Sequence, residues 1–188
     1  MENENEIENE SDEMENDLDL IDLLSNIPIL ELKKLLEEGL LHTEELNKNG
    51  ETILHLACLV GRFELIKYLI EEKEMNLKEK TEMGDTLLHF LASSPVKGPE
   101  ILKYLVEEKG MIEEINSKNE EGEDCCFYAV RNENFEFVKY LIEERIYNPF
   151  KINNFGNSLL HQACLNNHST LLIRFLIEKG CNLNQKNG

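Results

Sequence analysis

Hydrophobic residues in this chain recur at helical spacing in short stretches, and the whole arrangement repeats about every 34 residues. Leu54 and Ala57 lie three positions apart in the first stretch of one period. Leu65, Ile66 and Leu69 share one face of the second stretch. Polar residues and glycine separate the stretches. The pattern therefore predicts two short helices in each period, with their apolar faces turned toward the neighbouring periods.

Two sequence signatures mark the periods. The first follows a glycine in each period, and the four glycines stand at intervals of 34, 38 and 34 residues: Gly50, Gly84, Gly122 and Gly156. It reads TILHLA at 52–57, TLLH at 86–89, SLLHQA at 158–163 and, in a degenerate copy, DCCFYA at 124–129. The second reads KYLIEE at 67–72, KYLVEE at 103–108, KYLIEE at 139–144 and RFLIEK at 174–179. Two signatures at one spacing indicate an internal repeat and not a chance pattern.

These signatures resemble the ankyrin repeat, in which a glycine-containing turn precedes Thr-Pro-Leu-His-x-Ala and a second helix that ends in glycine. The resemblance covers about residues 45–188. It implies an all-α fold, an ankyrin-repeat solenoid of helix-turn-helix units with β-hairpin loops. Residues 48–188 would hold four repeats, at about 48–80, 82–118, 120–152 and 154–186. No block has the family's Pro after Thr, and four residues stand where the family favours Asp: Asn47, Thr81, Asn119 and Asn153.

The segments at the two ends depart from this repeat. Residues 1–17 hold nine acidic residues and no basic ones, which predicts an acidic disordered tail. Residues 18–47 carry KLLEEG at the repeat spacing but no Thr-x-Leu-His, which predicts a divergent N-terminal capping repeat. After Ile177 the chain runs toward another hairpin and reaches Gly188 without a recognisable cap. Either the natural protein continues beyond this point, which we favour, or the last repeat binds something, such as a second copy.

Several residues have a local role that the sequence predicts. Thr52 and its counterparts can cap the first helix of each repeat by accepting a backbone N–H. Gly110 and Gly180 follow second helices, where a left-handed residue commonly ends a helix. The segment SSPVKGP at 93–99 stands where the first block has only Gly61, so an enlarged loop between the two helices is expected there.

Charge and composition limit the classes of partner. The formal net charge is −19, and removing the nine acids of residues 1–17 leaves −10 for the remainder. This charge repels nucleic acid and anionic membranes, and it favours a partner protein with a basic surface. The chain shows no signal peptide and no apolar run of about 20 residues, which a membrane helix requires. Its five cysteines have no framework spacing, so reduced thiols in the cytoplasm or nucleus are expected.

The sequence contains no catalytic motif, and we expect no enzymatic activity and no cofactor. His55 with Cys58 and His161 with Cys164 have a spacing that can place two metal ligands on one helix face. Because the repeat pattern already accounts for each histidine, we favour a hydrogen bond near the hairpin for His and apolar packing for Cys, and no metal site. The Glu-Glu pairs follow the second helices at a fixed phase, which predicts solvated charge on the outer face.

The resemblance also implies which positions bind a partner. In this family, the residues that flank each glycine and those late on the first helix are free for recognition. On this chain they are Lys48, Asn49, Glu51, Leu59, Val60, Met83, Asp85, Glu120, Glu121, Glu123, Arg131, Asn154, Phe155, Asn157 and Leu165. Met83 and Phe155 are large and apolar at loop tips, and we prefer Phe155 as the residue that contributes most to binding. Segment 120–124, EEGED, would attract a basic partner.

The predicted function is protein recognition by the concave surface, as an adaptor, scaffold or inhibitor. Two alternatives remain. The chain is the recognition arm of a larger enzyme, channel or toxin, or it is a structural protein that assembles with itself through its C-terminal face. The family resemblance does not choose among partners, because a fold does not determine a function.

Overall fold

The computed structural model defines residues 20–41, 47–96, 99–144, 146–165 and 170–187, and the acidic segment 1–17 lies outside these ranges. The defined chain is a series of helix pairs. The first pair is α1 (20–26) and α2 (Ile29–Glu37). The later helices are α3 (Ile53–Val60), α4 (Phe63–Glu71), α5 (Leu87–Ser93), α6 (Glu100–Lys103), α7 (Cys125–Arg131), α8 (Phe135–Glu143), α9 (Leu159–Leu165) and α10 (Thr170–Glu178). The expected all-α repeat fold is confirmed.

The first helices of successive repeats form the central layer, because α3 packs on α5, α5 on α7, and α7 on α9. The small residues Ala57, Ala129 and Ala163 are completely buried, which allows these helices to approach closely. Second helices bury large apolar side chains behind this layer, for example Leu69 and Leu141, both fully enclosed. Each such leucine contributes roughly 1.5–3 kcal/mol by leaving water. The apolar stripes read from the sequence therefore form one continuous core.

The helix ends follow the local signals in the sequence. The Thr52 hydroxyl accepts from the His55 N–H at 3.3 Å, and the His55 ring nitrogen Nδ1 accepts from the Thr52 N–H at 3.2 Å. This reciprocal capping box satisfies two amides that the first turn of α3 would otherwise leave unpaired. Ser158 and His161 make the same arrangement before α9. The prediction that Thr52 and its counterparts cap the first helices is confirmed for these residues.

The third repeat replaces this capping box with a buried ionic cluster. Asp124 is fully buried and its carboxylate accepts from the Cys126 N–H at 3.1 Å, so it still caps α7. The same carboxylate accepts from the Tyr147 hydroxyl at 3.0 and 3.1 Å and from the Lys151 ammonium at 3.2 Å. Burial raises the pKa of the Tyr147 hydroxyl far above its usual range, so this group stays a hydrogen-bond donor. The degenerate block is therefore held by a different set of polar contacts.

The loop between the two helices of the second repeat is enlarged, as expected. Six residues, 94–99, separate α5 from α6, whereas two residues, 61–62, separate α3 from α4. The described part of this loop includes the fully buried Ser94, and α6 continues into a π-helical turn at Tyr104–Glu108. A 3₁₀ turn at Glu113–Asn116 then leads to the next hairpin. The longer interval between Gly84 and Gly122 is thus taken up by irregular backbone within one repeat.

The Glu-Glu pairs after the second helices are exposed, as expected, and some of them also connect consecutive repeats. The Tyr104 hydroxyl and the Lys109 ammonium of one repeat donate to Glu71 of the preceding repeat, at 2.9 and 2.8 Å. The Tyr140 hydroxyl donates to Glu107 at 2.6 Å in the next pair of repeats. These glutamates sit on the outer face but also connect consecutive second helices. Because these groups are exposed to solvent, each such bond contributes little to stability.

Candidate functional site

Short hairpin loops connect the repeats, and each loop is fixed by one polar side chain at its base. The Asn47 side-chain oxygen accepts from the Asn49 and Glu51 N–H groups, each at 3.0 Å. Asn119 and Asn153 hold their own loops in the same way. Within the described residues the loops are turns without strands, apart from one antiparallel bridge between residues 152 and 158. Asparagine, which stands where the family favours Asp, therefore fixes three of these loops.

Neighbouring loops are joined to each other by backbone hydrogen bonds. The Glu82 N–H donates to the Asn49 carbonyl at 2.9 Å, and the Glu120 N–H donates to the Met83 carbonyl at 3.0 Å. The Asn154 N–H donates to the Glu121 carbonyl at 3.0 Å. We call the surface formed by these four loops, residues 47–51, 81–85, 119–123 and 153–157, the tip ridge. Backbone hydrogen bonds between its loops order the tip ridge, so the side chains project from fixed backbone positions.

Gly122→Ala is expected to lower the free energy of unfolding by roughly 2 kcal/mol, and Gly110→Ala by about 1 kcal/mol. Both glycines have a positive φ, 73° and 74°, where other residues are strained. A Cβ on Gly122 would also lie 2.9 Å from the backbone nitrogen of Asn154, whereas a Cβ on Gly110 would meet nothing within 4 Å. Urea denaturation of both variants measures the difference. Equal costs would show that close approach of the loops contributes nothing.

Large apolar side chains project from this ordered ridge. Met83 is 50% exposed and Phe155 is 58% exposed. The Phe155 N–H is tied to Asn153 at 3.0 Å and the Met83 carbonyl accepts from Glu120, so neither residue sits on a loose backbone. Lys48, Asn49 and Glu120 are also exposed at the tips. The ridge therefore combines two apolar contact groups with a polar surround.

The structure does not place every predicted acidic residue on this surface. Glu123 is 2% exposed, and its carboxylate accepts from Arg131 and, at 2.9 Å, from the Asn153 amide. The side chain of Asp85 is 15% exposed and accepts from Asn119 at 2.9 Å and from Tyr128 at 3.0 Å. Glu123 and Asp85 thus hold successive repeats together at the base of the ridge. The expectation that Glu123 is an exposed part of an acidic finger is wrong, and Glu120 and Glu121 remain.

The other predicted site residues fall into two groups. Some contact the ridge itself: Glu51 accepts from the Asn47 amide at 2.8 Å, and the Asn154 amide donates to the Glu120 carbonyl at 2.9 Å. Leu59 and Val60, late on α3, are half-buried. Leu165 lies on α9 of the last repeat, where it lines a cavity together with the ridge residue Asn157. The structure therefore brings together the tip residues, Asn157 among them, but places Leu165 away from the tips.

Two aromatic residues on the first helices were missed by the sequence interpretation. Phe90 packs edge-on against His55 with ring centroids 5.0 Å apart, and Tyr128 packs edge-on against His89 at 5.0 Å. Both are half-buried, and Arg131 lies over the Tyr128 ring at 5.0 Å. Burial beside the Asp85 carboxylate raises the pKa of Tyr128 above its usual range. The available signal was their shared position in the repeat: Phe90 directly follows His89, and Tyr128 directly follows Phe127, which stands at the histidine position of the third block.

The histidines make hydrogen bonds to backbone groups, and most of the cysteines are buried. The Nδ1 atoms of His55 and His161 accept from the Thr52 and Ser158 N–H groups, each at 3.2 Å, which confirms the expected bonds to backbone. The His89 ring nitrogen Nε2 contacts the Glu123 carbonyl at 3.1 Å. Burial raises the pKa of the Cys58 thiol to about 12 and of Cys125 and Cys126 well above the usual value, so these thiols are unreactive. Cys164 is exposed, contrary to the expected apolar packing. Among the described residues, no three potential ligands form a metal cluster.

No helix within the described ranges is long and apolar enough to cross a membrane. A family model described as ankyrin repeats (3 copies) matches residues 15–119 and 90–187. Solved structures of 424 chains match the protein. One is a chain from the structure of a predatory endopeptidase from Bdellovibrio bacteriovorus in complex with an immunity protein, with a TM-score of 0.65 and 23% identity. That match covers 89% of this chain and 84% of the other, and it shows the fold. No curated protein matches the chain.

Proposed function

Because this chain belongs to the ankyrin-repeat family, we propose that it binds a partner protein on the tip ridge and acts without catalysing a reaction. Repeats of this family indicate a protein-interaction module. The finer assignment rests on one observation: Met83 and Phe155 are half or more exposed on loops whose backbone is already ordered. A loop whose backbone is ordered before binding loses little backbone conformational entropy when the partner arrives. Exposed apolar groups of this kind commonly contribute most of the binding free energy.

The charge of the ridge supports a basic partner surface. Glu82 and Glu120 are exposed at the tips and Glu121 is half-buried, while Asp85 and Glu123 are occupied by Tyr128, Asn119, Arg131 and Asn153. Acidic tips around two apolar groups attract a partner that offers apolar contacts within a lysine- or arginine-rich surround. Such attraction mainly speeds association and weakens as salt increases.

A role carried out by holding another protein has a structural precedent. One of the similar solved chains comes from a complex between an endopeptidase and an immunity protein. That complex supports inhibition or sequestration of a partner as the mode of action that we propose first. The large number of chains with this fold, 424, also means that the fold alone selects no particular partner.

The double variant Met83→Ser/Phe155→Ser is expected to bind the partner at least tenfold more weakly, about 1.4 kcal/mol, because two apolar contacts are lost. A pull-down from lysate with mass spectrometry identifies candidate partners, and titration of each purified candidate measures the affinity. Raising the salt concentration should weaken binding further if the partner is basic.

The matched control is Leu30→Ser/Ile112→Ser, which removes two exposed apolar side chains, 80% and 47% exposed, away from the ridge. This control should bind like the wild type. Equal binding by wild type and the ridge variant, with both folded by circular dichroism, would remove the tip ridge as the site. A loss that is the same in both double variants would indicate a non-specific apolar effect.

A further inference from the structure

Three consecutive loops of the tip ridge carry a side chain at one shared position, directly before the glycine. The residues at this position are Met83, Glu121 and Phe155. The next loop is bonded to the Met83 carbonyl, and the Met83 side chain is still 50% exposed, so stacking of the loops leaves this position accessible. Phe155 is 58% exposed and Glu121 is half-buried. These three side chains form a row along the stack, which we call the tip row, with an acid between two apolar groups.

The backbone N–H groups of two loops in the tip row, residues 119–123 and 153–157, are all donated within the chain. In the first loop the Asn119 side-chain oxygen accepts two of them, and backbone carbonyls accept the other three at 2.9–3.0 Å. In the second loop the Asn153 side-chain oxygen and backbone carbonyls accept the corresponding groups. A peptide that binds as an added strand pairs with free N–H and C=O groups. These two loops have no free N–H, so a partner cannot bind them as an added strand.

A partner segment that covers the tip row must therefore satisfy its own backbone. An extended segment would leave the carbonyls that face the loops without donors, and each buried carbonyl without a donor costs free energy. An α-helix bonds each N–H to the carbonyl four residues earlier, so it contacts a surface through its side chains alone. The occupied backbone of the loops thus favours a helical partner segment.

The spacing of the tip row also fits a helix. Met83 and Phe155 lie in the loops before α5 and α9, and α7 packs between these two helices. Packed helices lie about 8–10 Å apart, so the two side chains are separated by roughly 16–20 Å along the stack. Residues i, i+4, i+7 and i+11 share one face of an α-helix, and at about 1.5 Å per residue the outer two are roughly 16.5 Å apart. One helix can therefore contact both apolar residues at once.

We propose that the partner places one α-helix along the tip row, with apolar residues at i and i+11 against Met83 and Phe155. Lysine or arginine at i+4 and i+7 lies beside Glu121 and the exposed Glu120. The attraction between these charges fixes the register of the helix and speeds its association. The helix belongs to the partner whose binding to the tip ridge is proposed above, and it rests on that proposal.

Synthetic peptides test the helix without a known partner. The probe is an alanine-based peptide of about 20 residues, long enough to be helical in water, with leucine at i and i+11 and lysine at i+4 and i+7. The first control has the same composition, but the second leucine and one lysine exchange places, so the leucines stand at i and i+7. The second control contains proline outside the contact positions to prevent a helix, and it carries leucine at i and i+6 with lysine at i+2 and i+4. In an extended chain its leucines are about 20 Å apart.

Fluorescence anisotropy with the 188-residue chain measures the affinity of each labelled peptide. The probe should bind at least tenfold more tightly than either control, and Met83→Ser/Phe155→Ser should remove this difference. Replacing the leucine at i+11 by alanine should weaken binding to the wild type at least threefold and have no effect on Phe155→Ser. Such a cycle detects direct contact between the two side chains, because the effects of residues in contact are not additive.

Equal binding of the probe and the first control overturns the helix, and so does tighter binding of the extended control or no binding of the probe. The tip ridge is judged separately, by the response of the natural partner to Met83→Ser/Phe155→Ser. A natural partner that needs both residues, together with a probe that shows no preference, excludes the helix and keeps the tip ridge as the site. A natural partner that ignores the double variant removes the tip ridge, and the helix with it.

Discussion

Asp124→Ala is expected to lower the free energy of unfolding by about 3–5 kcal/mol, the largest effect that we predict for one side chain in this protein. The carboxylate is fully buried, caps α7, and accepts hydrogen bonds from Tyr147 and Lys151. Its removal leaves the buried Tyr147 hydroxyl without a partner and Lys151, only 23% exposed, without its counter-charge. Urea denaturation followed by circular dichroism measures the change.

A double-mutant cycle with Lys151→Met separates the ion pair from the cap. In the Lys151→Met background the cost of Asp124→Ala should fall by about 1–3 kcal/mol, because no ammonium is left unpaired. Asp124→Thr, which restores the residue type of Thr52 and Thr86, should keep the cap and cost less than alanine. The same cost for Asp124→Ala in both backgrounds would show that the Lys151 contact contributes nothing to stability.

The sequence predicted the parts of this fold that depend on local signals. The two signatures located each helix pair, Gly110 and Gly180 have the left-handed backbone expected after second helices, and Thr52 caps α3. Each of these features depends on residues that lie within a few positions of one another. A helix cap or a left-handed turn is stabilised by contacts within a few residues, so the residues that determine it are close together in the sequence.

Burial and pairing between repeats were predicted less well. The same His-x-x-Cys spacing occurs in the first and fourth repeats, yet Cys58 is completely buried and Cys164 is exposed. The difference arises because α5 covers α3, whereas no described element covers this position on α9. Glu123 appeared to be surface charge, but its partner Asn153 lies 30 residues away. Such contacts depend on which repeat stacks on which, and composition within one repeat does not determine them.

The candidate site was also predicted only in part, because contacts between repeats determine which of its side chains are exposed. The tip residues followed from the glycine spacing, but whether each side chain is free depends on the neighbouring loop. Glu120 is exposed, whereas Glu123, three residues later, is tied to Arg131 and the next hairpin. Two of the predicted polar residues, Asp85 and Glu123, instead hold neighbouring loops together. We therefore propose that partner binding depends mainly on Met83, Phe155 and the exposed acidic residues at the tips.

Acidification should destabilise the fold through His55. Burial lowers the pKa of His55 to about 4, and the Glu79 backbone and carboxylate oppose this shift only in part. In the unfolded chain the pKa of His55 is near 6.5, so the unfolded chain binds the proton more readily than the folded one. The free energy of unfolding is therefore unaffected by His55 above about pH 7, and it decreases as the pH falls from about 6.5 to 4. The full loss is about 3 kcal/mol, of which about 2 kcal/mol is reached at pH 5, where most carboxylates are still ionised.

His55→Gln isolates this contribution, because glutamine can also complete a capping box with Thr52. The variant should lose about 2 kcal/mol less stability than the wild type between about pH 7.5 and pH 5, as measured by urea denaturation at each pH. His161→Gln is the matched control, since it changes the same position beside Ser158 on a half-exposed ring. Burial also lowers the pKa of His89, which adds to the acid sensitivity of all three proteins equally. An unchanged pH dependence in His55→Gln would show that protonation of His55 does not cause the loss of stability.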